Sequence, residues 1–187
     1  MRSPFQPNIQ LSILNPSSGK AVDVCVASPH QFAIEHQQQL LPGWETPLSY
    51  LILVLQQSAI SLQESTVSVA TEKERLRAEF ICFGCNLIFT LRDRGYSSDL
   101  FDPRTGYPLL APQDMTWDDN AAVKALLNYP VVNHQQCSLI THPIWKHHVY
   151  PSTIVTTAPQ AMLTSSLKQA IVSQNWQLQE LLTDQIM

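Results

Sequence analysis

Residues 71–95 read TEKERLRAEFICFGCNLIFTLRDRG, and this stretch carries the clearest structural signal in the chain. Its apolar residues recur every three or four positions, the spacing of one face of an α-helix, and charged residues fill the opposite face. The apolar positions are Leu76, Phe80, Phe83, Leu87, Ile88 and Leu91. Gly95 follows two arginines, as is common where a helix ends. The sequence therefore predicts a long amphipathic helix over 71–91.

Strand patterns lie on both sides of this helix. Residues 22–26 and 66–70 alternate β-branched with smaller or polar side chains, which predicts strands with one buried face. Residues 48–56 are apolar on both faces and predict a central strand. After the helix, residues 96–101 predict a further strand, and the Asp-Pro-Arg-Thr-Gly sequence at 102–106 predicts a turn.

Two more strands are predicted near the carboxyl end, at 137–142 and 149–157, joined by a short loop. We expect them to pair with each other as antiparallel neighbours. Pro151 has no backbone N–H and marks an edge or a bulge in the second strand. Helix starts are predicted at Ser28 with Pro29, at Thr116 with Asp119, and at Pro159. This order predicts an α+β fold, an antiparallel or mixed sheet with packed helices.

The length of 187 residues is sufficient for one domain. Residues 1–20 are rich in Pro, Ser, Asn and Gln, and we expect an N-terminal arm with one short strand around Ile9, Leu11 and Ile13. Residues 21–187 are predicted to form a single α+β domain. That domain includes an extended C-terminal helix with an interruption near Asn175.

The composition excludes several classes of protein. Eleven Lys and Arg residues against 15 Asp and Glu residues give a net charge of −4, without any basic run, so nucleic acid is not an expected partner. The longest apolar stretch, 48–55, is too short to span a membrane. The N-terminal residues resemble neither a secretory nor a transit segment, so a cytoplasmic protein is expected.

The four cysteines are too few for a disulfide scaffold and are expected to be free thiols. Cys82 and Cys85 have a C-x-x-C spacing, but in mid-helix they are best explained as small residues on a packed face. Cys25 is expected in the core. Cys137 follows a polar run and precedes His142, His147 and His148; these are zinc-binding residue types, although the spacing matches no compact zinc motif.

Two blocks of the chain resemble the methylmalonic aciduria and homocystinuria type D (cblD) family. The first block runs from Leu91 through Asp93, Tyr96, Asp99, Asp102 and Pro103 to Gly106. The second contains Cys137, Ile140, His142, Trp145, His148, Val149, Ser152, Ile154, Thr156 and Pro159. The likeness extends over about residues 22–159, and the combination is more specific than either block.

The resemblance implies a sandwich similar to the flavin reductase or nitroreductase type, but without bound flavin. It also implies a non-enzymatic adaptor in intracellular cobalamin handling. Proteins of this family look like partners of the cblC chaperone, and they direct cobalamin to methionine synthase or methylmalonyl-CoA mutase. A cysteine thiolate offered to the cobalt is their proposed chemistry, since a soft thiolate suits a polarisable metal centre.

In animal members of the family two adjacent cysteines occupy the strand start, and the first is the ligand; this chain has Gln136 and Cys137 there. Two hypotheses remain: Cys137 is the cobalt ligand, or the protein binds its partner without coordinating cobalt. The other matching residues either shape the partner surface or fix turns; they are Tyr96, Asp99, Asp102, Gly106, His142, Trp145 and His148. A flavin-dependent reductase and a zinc-binding interaction module are the alternative functions.

Overall fold

The computed structural model describes residues 8–134 and 137–179. In chain order the elements are β1 (Ile9–Asn15), β2 (Lys20–Ala27), α1 (Gln31–Glu35), α2 (Gln37–Leu40), β3 (Tyr50–Gln57), α3 (Val67–Asp93), β4 (Ser98–Leu100), α4 (Asp119–Leu127), β5 (Val131–His134), β6 (Cys137–Ile140), β7 (Val149–Thr156), α5 (Gln160–Ser173) and β8 (Gln177–Leu178). Every strand pair within these residues is antiparallel. The predicted α+β class is therefore confirmed.

The predicted central strand, β3, lies inside a six-stranded sheet of order β4-β7-β3-β2-β1-β8. It pairs with β2 on one side and with β7 on the other, from Tyr50 opposite Thr156 to Gln57 opposite Val149. Its residues 51–55 have no exposed surface. Burial on both faces explains why this stretch is apolar at consecutive positions rather than at alternate ones.

The sheet separates two apolar cores, because successive side chains of a strand point to opposite faces. On one face, Val22, Val24 and Val26 of β2 pack with α3 and α5. On the other face, Cys25 and Ala27 pack with α1, α2, α4 and the hairpin of β5 and β6. None of the helices in residues 8–134 and 137–179 combines the length and hydropathy needed to cross a membrane.

The helix predicted over 71–91 is confirmed, but α3 begins earlier, at Val67, so the predicted strand at 66–70 is wrong. Thr66 caps the helix by accepting a hydrogen bond from the backbone N–H of Val69, and this local bond outweighs the β-branched pattern. Gly84 faces β4: a Cβ there would lie 2.5 Å from Leu100 Cδ2, so a larger residue would require the Leu100 side chain to shift. Gly95 follows the helix in the left-handed region.

The predicted pairing of the two late strands is wrong. β6 pairs with β5, which lies just before it, with His134 opposite Cys137. β7 instead lies between β3 and β4 in the main sheet. The eight-residue partnership with the apolar β3 buries far more surface than a short hairpin with β6 would, which decides the pairing.

Pro151 lies at an open edge, as predicted. The Thr153 carbonyl accepts a hydrogen bond from the Phe101 N–H on the β4 side of β7. Alternate residues of an antiparallel strand direct their backbone groups to the same side, so the Pro151 nitrogen also faces that side. β4 reaches only to Leu100, opposite Ile154, and therefore leaves this part of the edge without a ladder partner.

Two helix starts differ from the prediction by a few residues. α1 begins at Gln31 with His30 as its cap, rather than at Ser28. α4 begins at Asp119, where Asp118 rather than Thr116 accepts the hydrogen bond from the Ala121 N–H. In each case a side chain nearer to the helix satisfies the free N–H groups of the first turn.

Both ends of the described chain join the sheet. The residues expected in an N-terminal arm include β1, which pairs with β2 from Ile9 opposite Val26 onward, so this part of the arm belongs to the sheet. The predicted C-terminal helix ends at Ser173, and Asn175 then takes a positive φ before β8 pairs with β1. The rest of that helix prediction, over 180–187, lies outside the described residues.

Candidate functional site

The predicted site residues fall in three places. Tyr96, Asp99, Asp102 and Gly106 lie in and around β4 and the turn after it. His142, Trp145 and His148 lie in the loop between β6 and β7. Cys137 begins β6, at the end of the two-residue connection from β5. The predicted site residues therefore belong to three separate segments of the chain.

Asp99 organises the backbone after β4. Its buried carboxylate accepts hydrogen bonds from four backbone N–H groups, which belong to Leu100, Leu109, Leu110 and Ala111. Burial raises the pKa of the carboxyl group, and the backbone hydrogen bonds oppose that rise. Asp99 thus fixes the 109–111 loop and does not face a ligand.

Asp102 ties the next turn to α3. Its two oxygens accept hydrogen bonds from the Arg77 guanidinium at 2.7 and 2.6 Å, and this partner lowers the pKa of Asp102. Gly106 closes the same turn, donating its N–H to the Asp102 carbonyl with a φ of +75°. A Cβ at Gly106 would lie 2.6 Å from the Trp117 carbonyl oxygen, so the turn packs too closely for any larger residue.

His142 holds the loop that leads to β7. Its Nδ1 accepts hydrogen bonds from the N–H groups of Ile144 and Trp145, so the proton of the neutral ring is on Nε2. Nε2 faces the Asp23 carboxylate at 3.3 Å, and the ring stacks on Trp145 with centroids 4.0 Å apart. Both ring nitrogens are therefore used inside the protein.

The hypothesis of a zinc module receives no support from this arrangement. His142 would have to give up two backbone hydrogen bonds to bind a metal through Nδ1. His147 and His148 contribute their backbone carbonyls, which accept from Leu62 and Ser58. Among the side chains that the structure describes, no group of three or more His, Cys, Asp and Glu residues lies close enough to hold a metal ion.

A cleft of about 940 Å³ opens beside these segments. Its walls are the amino-terminal half of α3, the 103–106 turn, residues 116–120, β6 and the start of β7. Among the predicted site residues whose side chains the structure describes, Gly106 alone is on its lining, and Ser138, the neighbour of Cys137, also lines it. The cleft therefore connects the turn after β4 with the start of β6.

Asp119 is the most perturbed acid of this cleft. Thr153 donates a hydrogen bond to Asp119 Oδ1 at 2.6 Å, and Trp117 Nε1 donates to the Thr153 hydroxyl at 3.0 Å. Burial raises the pKa of Asp119 to about 7, with a smaller contribution from the neighbouring Asp118. This carboxyl group can therefore gain or lose a proton near neutral pH.

The sequence analysis did not identify this series of hydrogen bonds, in which Trp117, Thr153 and Asp119 take part. The three residues belong to different segments, and no spacing rule connects them. The only local signal was the acidic start of α4, which indicates a helix cap rather than a ligand site.

The cysteines differ in exposure. Cys25 is completely buried in the sheet, as predicted, and burial raises the pKa of its thiol to about 12. Cys85 is half-buried, and burial raises its thiol pKa as well. Cys82 is exposed on α3, so its prediction as a packed residue is wrong. The Cys137 side chain lies outside the described part of the structure, as do residues 135–136.

Comparison with known proteins settles the family. The family model for the methylmalonic aciduria and homocystinuria type D protein matches residues 13–168. The chain belongs to this family. The resemblance drawn from Tyr96, Asp99, Gly106 and their neighbours is thus confirmed, and the match extends from β1 into α5.

Two curated relatives of this cblD chain are the cobalamin trafficking proteins CblD of Mus musculus and Rattus norvegicus. Each is 25% identical over 122 residues, which is 65% of this chain and 41% of the relative. The chain thus spans about two fifths of the length of the relatives it matches.

Proposed function

We propose that this chain is a non-enzymatic adaptor in cytoplasmic cobalamin trafficking. It binds a cblC-like chaperone and directs cobalamin to methionine synthase or methylmalonyl-CoA mutase. The observation that carries the proposal is the family match over residues 13–168, together with the cobalamin trafficking role named for the rodent relatives.

Cys137 is the proposed cobalt ligand, and the cobalamin is its cargo. The backbone position supports this assignment, because Cys137 is the first residue after a two-residue connection between paired strands, where side chains are commonly accessible. Cys25 is a poor alternative, since a thiol whose pKa is raised to about 12 is almost never ionised at neutral pH. A thiolate bond to cobalt can be exchanged when a competing ligand arrives, as delivery requires.

The proposed partner surface is formed by the loops that the matching residues hold in place. His142 and Trp145 stack and fix the loop before β7, and this leaves Ile144 79% exposed at its tip. Asp99 fixes the loop that carries the half-exposed Leu109 and Leu110. Exposed apolar side chains on well-held loops are typical of protein interfaces.

The proposed fold relationship is to the flavin reductase and nitroreductase sandwiches, without flavin. Support comes from the antiparallel sheet that lies between two apolar cores. We expect the purified protein to be colourless. A stoichiometric flavin absorption band would instead favour the reductase alternative.

Complex formation tests the adaptor proposal. We expect this chain to co-elute with a cblC-like chaperone in size-exclusion chromatography. Ile144→Asp should weaken the complex about tenfold or more, because a charge would be desolvated at the interface. Val172→Asp on α5 is the matched control, since Val172 is also strongly exposed, at 73%, but lies in another part of the fold.

Two results would contradict the proposal. One is the absence of any complex with the chaperone at micromolar concentrations. The other is a complex that Val172→Asp weakens while Ile144→Asp leaves it unchanged, since that result would put the partner surface elsewhere.

A further inference from the structure

The charges that line the cleft are balanced. Three are cationic and three are acidic: Lys73, Arg77, Arg104, Glu74, Asp118 and Asp119. Arg77 is already paired with Asp102, which lies just behind the lining. A strongly charged ligand gains little from such walls, because attraction to one set is offset by repulsion from the other. The cleft therefore suits a neutral polar ligand.

Apolar patches separate the polar groups of the lining. Carbon surface comes from Leu62, Leu139 and Val149, and hydroxyl groups come from residues such as Thr105 and Thr116. Ligand sites commonly combine apolar walls with a few polar groups that fix orientation. A ligand whose rim alternates methyl groups with carboxamide side chains, as the corrin ring of cobalamin does, matches this mixture.

Asp119 supplies an oriented polar group. One carboxyl oxygen is held by the Thr153 hydroxyl, which is itself held by Trp117. Asp119 also lines the cleft. A carboxyl group positioned by one oxygen has a fixed direction for the other.

A protonated carboxyl group pairs with a primary carboxamide through two hydrogen bonds. Its O–H donates to the amide oxygen, and its carbonyl oxygen accepts from an amide N–H, since each oxygen has two lone pairs. Because burial raises the pKa of Asp119 to about 7, about half of the molecules carry this proton at neutral pH.

We infer that the cleft binds a carboxamide of the corrin rim while the chaperone presents cobalamin, with Asp119 as the pairing group. The inference rests on the proposed function. Its geometric support is the path of β6: Ser138, Leu139 and Ile140 line the cleft, and Cys137 directly precedes Ser138. Cys137 therefore belongs to the same strand that forms one wall of the cleft.

The test compares the affinity of the full chain for a chaperone loaded with hydroxocobalamin and for the empty chaperone. The ratio of the two dissociation constants isolates contacts with cobalamin from contacts with the chaperone. We expect the wild type to prefer the loaded chaperone at pH 6. Asp119→Ala should lower that preference several-fold, leaving what the proposed Cys137 contact contributes, and Asp119→Asn should keep it, because an amide also pairs with an amide. Asp114→Asn, at an exposed position outside the cleft lining, is the matched control and should keep it.

The pH profile gives a second readout. Asp118, Asp102 and Tyr150 interact with Asp119 through their charges, and His30 stacks on Trp117. The other charged residues that line the same cleft are Lys73, Glu74, Arg77 and Arg104. Between pH 6 and pH 8 the protonated fraction of Asp119 falls about tenfold. The preference for the loaded chaperone should therefore fall, by at most about tenfold, in the wild type and in Asp114→Asn. It should stay constant in Asp119→Asn, which is subject to the same neighbouring groups.

Equal affinity of the wild type for loaded and empty chaperone would overturn the inference and leave the adaptor proposal standing. So would a preference that Asp119→Ala retains in full at pH 6, or a pH dependence that Asp119→Asn shares. Thermal unfolding of each variant checks that the chain is folded. Failure to bind either form of the chaperone would instead contradict the proposed function.

Discussion

Asp99, Asp102, Gly106 and His142 all bond or pack against their own backbone surroundings. They are also four of the residues by which the sequence resembles the cblD family. In the proposed partner surface, these internal contacts hold the loops in place. A loop without them would lose more conformational entropy on binding. These four matching residues thus have a structural role in the fold.

Gly106 permits a direct test of that structural role. Gly106→Ala should destabilise the protein by about 2–3 kcal/mol, because it adds a Cβ at positive φ and places it against the Trp117 carbonyl oxygen. Gly43→Ala is the control: Gly43 also has a positive φ, +84°, but no atom lies within 4 Å of its added Cβ. It should cost only about 1 kcal/mol. Equal losses in urea denaturation would show that the close packing at Gly106 contributes nothing.

Asp99 permits a second test at the same scale. Asp99→Asn leaves one accepting oxygen in place of two, and its amide N–H groups then face the N–H groups of Leu110 and Ala111. We expect a loss of about 1–3 kcal/mol in chemical denaturation, since buried donors are left unpaired. Asp114→Asn, at an exposed position, should change stability by less than about 0.5 kcal/mol. An unchanged Asp99→Asn variant would argue against the carboxylate as the organiser of the 109–111 loop.

Among the helices and strands, the periodic patterns correctly predicted those elements whose type is set by which of their own faces are buried. The helix over 71–91 and the central strand over 48–56 are present because each pattern reports which faces are buried. The strand predicted at 66–70 became the first turn of α3 because Thr66 caps that helix. The pairing of β7 with β3 rather than β6 depends on contacts between segments far apart in sequence, which periodicity does not encode.

The candidate site was predictable only where a motif is local. The turn at 102–106 was found from its composition, and Cys137 was found at a strand start. Arg77 and Asp23 were not singled out as partners of Asp102 and His142, because each pair joins distant segments. The walls of the cleft come from segments that are far apart in sequence, so no local sequence pattern predicts the cleft.

Asp119, the first residue of α4, should make the free energy of unfolding depend on pH. The pKa of Asp119 is raised by folding, so its proton binds more tightly in the native state than in the unfolded chain. Its contribution to stability is thus fully present below the ordinary pKa of Asp, 3.8, and is lost as pH rises to about 7. Asp119→Asn should gain stability relative to the wild type between pH 5 and pH 8, as measured by chemical denaturation.

Asp114→Asn removes a negative charge outside the cleft and controls for net charge in this comparison. If the difference between Asp119→Asn and the wild type is the same at pH 5 and pH 8, folding does not raise the pKa of Asp119. The pH readout of the corrin-rim inference would then lose its basis as well.

At the scale of the whole molecule, the sheet and its two cores place β6 and the loop before β7 at one side of the fold. α3 and α5 cover the opposite face of the sheet. The family match spans nearly all of these elements, so the scaffold and the trafficking role are proposed together. In the proposed function, partner binding depends on the loops and cobalt binding on Cys137.

The central claim is that this family member acts on cobalamin through Cys137 in a complex with its chaperone. The most direct measurement is the visible spectrum of cobalamin in that complex, for the wild type, Cys137→Ser and the exposed-cysteine control Cys82→Ser. All three should bind the chaperone. The wild type and Cys82→Ser should shift the cobalt bands, and Cys137→Ser should not. An equal shift in Cys137→Ser, or no shift in the wild-type complex, would contradict the claim.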